Sequence, residues 1–471
     1  MSNSRFRTCI ACIVLTTVLS GCLLKPEYER PVVLDASPYR DVKAGQAIVN
    51  MPWWDLFKDE PLKKLIKTSL EQNRDLQVAM ARIDEARALL GVVRPDQFPR
   101  LDYSGAMTRT DASQAGVTPV PPVNDFNLLG KLNYEVDLWG RYASATEAQR
   151  AELLSSEEAY KSVTLSLVAQ VAVTYLQLLD VDRQIIISAR TLKNRHANTV
   201  LIQERFKGGY TAMIDLNQAQ IQEQDAAAAL VAQKRAKHLA ENAMSVLLGH
   251  VPHDIPRSPP NTDPLTTHEI PLGVPADLLS RRPDVRAAEE KARAAVMRIG
   301  VARATQFPAI SLFGVLGLNS DKSTELFTSD GRLWSIGGNM VGPLIDLGKS
   351  WSRTDAAEAQ AEQALKSYES TVLQAVREVE DARVTVQTFL EEYRVRQTQV
   401  EAAQSANMLS RRRYEDGVTS YLEVLNTETS LFTSDLGRSN SLQRYLSGVV
   451  QLYKALGGGW EIPEAGQPSS K

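Results

Sequence analysis

The chain has 471 residues, with 53 basic and 56 acidic side chains for a net charge of −3, and only three cysteines. That balance leaves no basic excess for a nucleic-acid partner. Its length would ordinarily mean two or three domains, and three thiols cannot build a disulfide framework.

Arg5 and Arg7 precede an apolar run from Cys9 to Leu19, followed by Leu19-Ser20-Gly21-Cys22. A basic region, a short apolar core and small residues make a secretory signal, residues 1–21, too short to stay as a spanning helix. The four residues resemble a bacterial lipobox, which implies cleavage before Cys22 and lipid on its sulfur and new amino group. Several acyl chains anchor far more firmly than one, at about 0.8 kcal/mol per buried methylene. By the same resemblance, Leu23 rather than Asp after the cysteine implies the outer membrane. Loss of the signal removes Cys9, Cys12 and two arginines, leaving 51 basic against 56 acidic residues, a net of −5. The acylated mature chain then keeps no thiol for a metal site or a nucleophile.

Residues 22–58 read as an extended, lipid-anchored lead, with Pro26, Pro31, Pro38 and Pro52 along it and Trp53-Trp54 packing at a domain surface. A helix pattern runs from Glu60 to Arg94, where Pro95 and Pro99 stop it. Two runs of period two follow. In 101–108, Leu101, Tyr103, Gly105 and Met107 alternate with mostly polar residues. In 126–138, Phe126, Leu128, Leu132, Tyr134 and Val136 alternate with Asn127, Lys131, Asn133 and Glu135. Such runs fit strands with lipid on one side and water on the other; a soluble amphipathic hairpin is the alternative. Thr110 to Val123 is the loop between them.

Ala143 to Lys207 contains no proline or glycine, and its 65 positions would make a helix of about 98 Å. Leu167, Val171, Thr174, Leu178, Val181, Ile185, Ser188 and Leu192 form a seam in steps of four and three. A second seam runs beside it through Val168, Ala172, Tyr175, Leu179, Asp182, Ile186 and Ala189. Two adjacent seams suit a helix with a neighbour on each side. Thr164 to Leu179 carries no charge, but recurrent Thr, Ser and Gln argue against a membrane helix. At Lys207-Gly208-Gly209-Tyr210-Thr211 paired glycines reverse the chain, and a return helix follows over about 212–248.

The same order then recurs. Gln97-Phe98-Pro99 matches Gln306-Phe307-Pro308 at an offset of 209. Arg205-Phe206 with Gly209 matches Arg413-Tyr414 with Gly417, and Leu248-Gly249 matches Leu456-Gly457, both at 208. Three distant agreements indicate duplication: a first repeat over 59–249, a proline-rich linker over 250–275, a second repeat over 276–457 and a polar tail over 458–471. The second repeat has a helix about 276–303, strands near 310–319 and 333–345, and a long rod over 349–414. Its seam of Val372, Val376, Val379, Val386, Leu390 and Tyr393 is broken once by Arg383. Four strands cannot close a barrel, and an open edge in lipid leaves backbone groups unsatisfied. Closure therefore requires several chains: two copies would give eight strands and three would give twelve, and the wider barrel is the one that leaves an aqueous channel.

Trp53-Trp54-Asp55-Leu56-Phe57, Asn73-Arg74-Asp75-Leu76, the segment from Gly273 to Glu289 with its Arg281-Arg282-Pro283-Asp284, and Arg413-Tyr414 with Gly417 carry a family resemblance. Together they resemble the outer membrane factor family, TolC-like channels of the NodT lipoprotein type. The resemblance covers Cys22 to about Gly457. It implies a mainly α homotrimer in which a twelve-stranded outer membrane β-barrel continues into a long periplasmic helical barrel. It also implies a passive exit duct for small molecules, docked on a periplasmic adaptor and an inner membrane pump of the resistance-nodulation-division type. No cofactor beyond the lipid on Cys22 is implied. The periplasmic gate would map to Leu422, Asn426, Asp215, Glu423 and Tyr414, and the adaptor-contact turns to Gly208, Gly209, Thr211, Gly417 and Thr419. Channels of this type often carry aspartate where Asn426 stands. A neutral amide ring would make opening less dependent on pH and cations.

Other classes fit less well. A periplasmic adaptor lipoprotein has one hairpin between soluble β domains, and a purely structural coiled-coil lipoprotein lacks alternating strands. For an enzyme, His250 and His253 sit in a proline-rich linker without cysteine. Glu289-Glu290 and Glu391-Glu392 sit on helical faces, and no glycine-rich phosphate loop follows a strand.

Overall fold

The structure is a computed structural model that describes residues 26–31, 56–111, 122–265 and 281–458. Cys22, Trp53-Trp54, most of the 110–123 loop and the tail beyond Gly458 lie outside the described residues. In chain order the elements are α1 Glu60–Gln72, α2 Arg74–Val93, β1 Arg100–Thr110, β2 Val123–Val136, α3 Arg141–Lys207 and α4 Met213–Leu247. Then come α5 Pro283–Ala304, β3 Ala309–Ser320, β4 Arg332–Val341, α6 Lys349–Glu415 and α7 Tyr421–Ala455.

Three expected boundaries differ. The helix over 60–94 is two helices, because Asn73 adopts an extended ψ of 131° and caps α2 through its side chain on Leu76 N. Of the helix expected over 276–303, residues 276–280 lie outside the described residues; Arg282 is not helical, and the described helix starts at Pro283, which disfavours helical backbone in the residue before it. The strand over 333–345 ends at Val341, since Gly342-Pro343 follows and proline has no N–H for the ladder.

The described residues fall into two compact units. The first takes 26–31, 82–111, 122–157 and 287–369, and holds the sheet. Its strands pair antiparallel in the order β1-β2-β3-β4, leaving β1 and β4 as edges. The register places Leu101 opposite Leu132, Leu132 opposite Gly314, and Gly314 opposite Ile336. Leu101, Tyr103, Met107, Leu316, Trp334 and Ile336 therefore share one face, and each is at least 72% exposed. Asp102 opposite Lys131 and Ser311 opposite Asn339 mark the other. A broad apolar face left open to the surroundings is the pattern of a strand set that meets lipid.

The duplication is visible atom by atom at the ends of the sheet. Gln97 Nε2 donates to Thr146 Oγ1 at 2.6 Å, and Gln306 Nε2 to Thr354 Oγ1 at 2.7 Å. Asp137 accepts from the N–H groups of Tyr142 and Ala143 at the start of α3; Asp346 accepts from Gly348 and Ser350 at the start of α6.

The second unit takes 56–81, 158–265, 281–286 and 370–458. Its core joins Leu62, Ile66, Val171, Tyr175, Leu178, Met244, Val449 and Tyr453. The uncharged stretch of α3 supplies much of that core. The first seam stays inside through Ser188, whereas the second emerges at Ile186, which is 56% exposed. Segment 250–265 is tied onto this core by Arg257, bonded to Asp182 and Glu241, and by Arg183, which donates to Pro260 O.

Candidate functional site: the two helical turns

Each long helix ends in the same reversal. Tyr210 N donates to Arg205 O and Val418 N to Arg413 O, both at 2.8 Å, around Gly209 (φ 76°) and Gly417 (φ 73°). Those left-handed angles are why glycine stands at both positions. Nothing lies within 4 Å of a Cβ placed at either, so the turns are open outward.

Carboxylates in the first turns of both return helices are tied to the threonines that precede them. Thr211 Oγ1 donates to Asp215 Oδ2 at 2.5 Å, and Thr419 Oγ1 donates to Glu423 Oε2. Glu423 also pairs with Arg413 at 3.4 Å. These two carboxylates are therefore engaged in holding the turns, next to the positive end of a helix dipole. Glu415 and Asp416 are exposed.

Behind the turns, Ile202, Leu216, Ala219, Tyr421, Val424 and Leu425 form a small apolar cluster. Tyr414 borders it, with its ring 5.5 Å from that of Tyr421 and the Arg205 guanidinium 5.1 Å above it. Burial pushes the Tyr421 hydroxyl far above the ordinary phenol range. Leu422 and Asn426 are both exposed, one turn apart on α7. The structure thus brings Tyr414 to the cluster, sets Leu422 and Asn426 on an open face, and engages Asp215 with Thr211 and Glu423 with Thr419 and Arg413.

Two features escaped sequence reasoning. Ile214, 61% exposed, stands at the offset of 208 from Leu422, so the duplication could have flagged it. The other is a polar layer above the apolar cluster. Glu428, 8% exposed, accepts from Asn198 Nδ2 at 2.7 Å and from Arg411 Nη2 at 2.5 Å. Arg195, 3% exposed, donates to Gln222 O; desolvation lowers its pKa against the pull of Glu428. The signal was present, since Arg195 and Thr199 continue the four-three seam that runs through Ser188 and Leu192.

Known proteins carry the same architecture. The sequence model of the outer membrane efflux protein family matches twice, over residues 65–250 and 274–458. Outer membrane protein OprJ of Pseudomonas aeruginosa is 32% identical over 461 residues, covering 96% of each chain. The solvent efflux pump outer membrane protein SrpC of Pseudomonas putida is 33% identical, covering 95% of this chain and 97% of that one. Among solved structures, the outer-membrane channel OprN superposes with a TM-score of 0.87 at 30% identity, over 93% of this chain and all of the other. The open state of the Neisseria gonorrhoeae MtrE outer membrane channel gives 0.84 at 27%, over 93% and 99%.

Proposed function

Because this chain belongs to the outer membrane efflux protein family and is the outer membrane channel of an efflux pump, we propose how its parts divide that work. Three copies pair β1 of one with β4 of the next, giving twelve strands whose apolar face meets lipid and whose polar face lines water. Lipid on Cys22 supplements that insertion. The solutes are small toxic compounds, the class that the names of its relatives point to, solvents among them. The duct does no chemistry and consumes no nucleotide; a periplasmic adaptor and a resistance-nodulation-division pump in the inner membrane deliver solute and energy.

The turns form the gate. Threefold symmetry converts Leu422 into an apolar ring and Asn426 into a neutral one, while Gly208, Gly209, Thr211, Gly417 and Thr419 present backbone to the adaptor. The observation that carries this reading is the sheet itself, two open edges with an apolar exposed face.

Single-channel conductance in planar bilayers tests it, wild type beside Leu422→Ala and Asn426→Asp. Low, flickering wild-type conductance that rises in Leu422→Ala is expected, with cation-sensitive closure in Asn426→Asp. Trimers whose conductance is the same in all three forms would remove both residues from the gate.

A further inference from the structure

A crevice of about 150 Å³ opens within the polar layer, between α3, α6 and α7. Arg190 and Arg195 reach it from α3 and Arg411 from α6, while Glu428, Phe432 and Asp435 line it from one face of α7, at steps of four and three. Arg195 is buried, with Nη1 on Gln222 O at 2.7 Å and its guanidinium 5.4 Å over the Phe432 ring. Arg411 places Nη2 on Glu428 Oε1. In both side chains the Nε–H is shut off from solvent and meets no acceptor among the described residues. Guanidinium groups carry donors only, and a buried donor in a folded protein is normally matched by an acceptor. Two such donors on the wall of one crevice, from different helices, call for an acceptor inside it.

Charge decides which acceptor. Arg190 pairs with Asp435 at 2.7 Å, but Asp435 also serves Arg438 at 3.6 Å. Glu428 is engaged by Arg411. Burial lowers the pKa of Arg195, and Glu428 and Asp225 are the carboxylates that act against it. Four guanidiniums thus share three carboxylates. A water molecule would satisfy the donors and leave the surplus positive charge uncompensated in a partly dehydrated space; an anion does both. Size narrows the choice further. The crevice has room for more than one water but falls short of the roughly 300 Å³ at which drug-sized ligands begin to fit.

We propose that this crevice is a binding site for a small monovalent inorganic anion, chloride, held by Arg195 Nε and Arg411 Nε. So placed, the ion joins α3 of the first repeat to α6 of the second. Its binding does not depend on the turns acting as a gate.

Thermal unfolding of the purified full-length protein in detergent tests it, in sodium chloride beside sodium gluconate at equal ionic strength, where screening is matched and the organic anion is too bulky for the crevice. Chloride should raise the midpoint and the rise should saturate. Arg411→Gln should raise the half-saturating chloride concentration several-fold, and Glu428→Gln, which adds to the charge surplus, should lower it several-fold. Loss of packing alone would lower the midpoints equally in both salts. Crystals grown in sodium bromide should show anomalous scattering between Arg195 Nε and Arg411 Nε. Equal midpoints in the two salts with no bromide signal in the crevice overturn the site, as does a chloride dependence that neither substitution moves.

Discussion

Arg282 Nη1 donates to the carbonyl oxygen of Ala455 at 2.9 Å, taking one of the acceptors that the end of α7 leaves unpaired. Asn73 Nδ2 donates to Leu247 O, also at 2.9 Å, at the end of α4. Positions 73 and 282 differ by 209, and positions 247 and 455 by 208, so both repeats close the same helix end with a side chain from the same place. Arg282 does more: it forks onto Asp284 through Nε and Nη2, at 3.0 and 2.6 Å, and reaches Glu378 at 2.7 Å. The Arg-Arg-Pro-Asp segment is thus a clamp between α5, α6 and α7.

Removing the clamp should destabilise strongly. Arg282→Met leaves two carboxylates and a buried carbonyl without their cation, a cost of about 3 kcal/mol. Asn73→Ala loses a cap and one interhelical bond, about 1–2 kcal/mol. Thermal unfolding in detergent should rank them in that order; equal midpoints for Arg282→Met and wild type would reduce the clamp to an incidental contact.

The same clamp sets an acid limit. Desolvation works against the charged Asp284, but hydrogen bonding to Arg282 and its charge outweigh it and hold the carboxyl below its ordinary 3.8. A depressed carboxylate contributes stability that is fully present above its unfolded pKa and lost as pH falls through the folded one. The stability gap between wild type and Asp284→Asn should therefore be constant near neutrality and shrink below about pH 4. A gap that widens on acidification would contradict the pairing.

Two glycines with matching backbone angles should respond differently to alanine. Gly209 (φ 76°) has open space beside it, so Gly209→Ala should cost only the left-handed penalty, about 1 kcal/mol. Gly249 (φ 75°) would put its Cβ 2.3 Å from Gln72 O, and relieving that overlap should add about 1–3 kcal/mol. Chemical unfolding of the two variants separates strain from crowding. Equal losses would mean that Gln72 yields freely.

Much of this architecture was legible because it is periodic. The rods showed themselves by seams and by the absence of Pro and Gly, and the reversals by Gly208-Gly209 and Gly417. The strands declared themselves by alternation, which physical chemistry ties to a two-sided environment. What stayed hidden was aperiodic. Asn73 breaks a continuous helical pattern with one side-chain cap, and nothing in the spacing distinguishes it from an exposed helical asparagine. Arg282 could be recognised as part of a motif, but not as the partner of Ala455, 173 residues away. That Thr211 and Thr419 hold the carboxylates of Asp215 and Glu423 was likewise hidden, because a one-dimensional sequence does not show which hydroxyl a side chain meets.

The lipid and water faces of the sheet can be separated by one residue. Leu316 is 72% exposed and lies opposite Gly130 and Trp334 on the apolar face; its neighbour Val315 lies opposite Lys131 and Ser335 on the polar one. An arginine near the middle of the lipid face costs about 2–4 kcal/mol of membrane stability, whereas one facing water alters selectivity instead. Leu316→Arg should therefore lower the fraction of chain recovered as folded trimer in outer membranes. Val315→Arg should assemble like wild type and shift single-channel selectivity toward anions, because three guanidinium groups would raise the local positive potential. Equal assembly defects in the two variants would show that both faces are packed against protein, and the barrel would have to close by a different register.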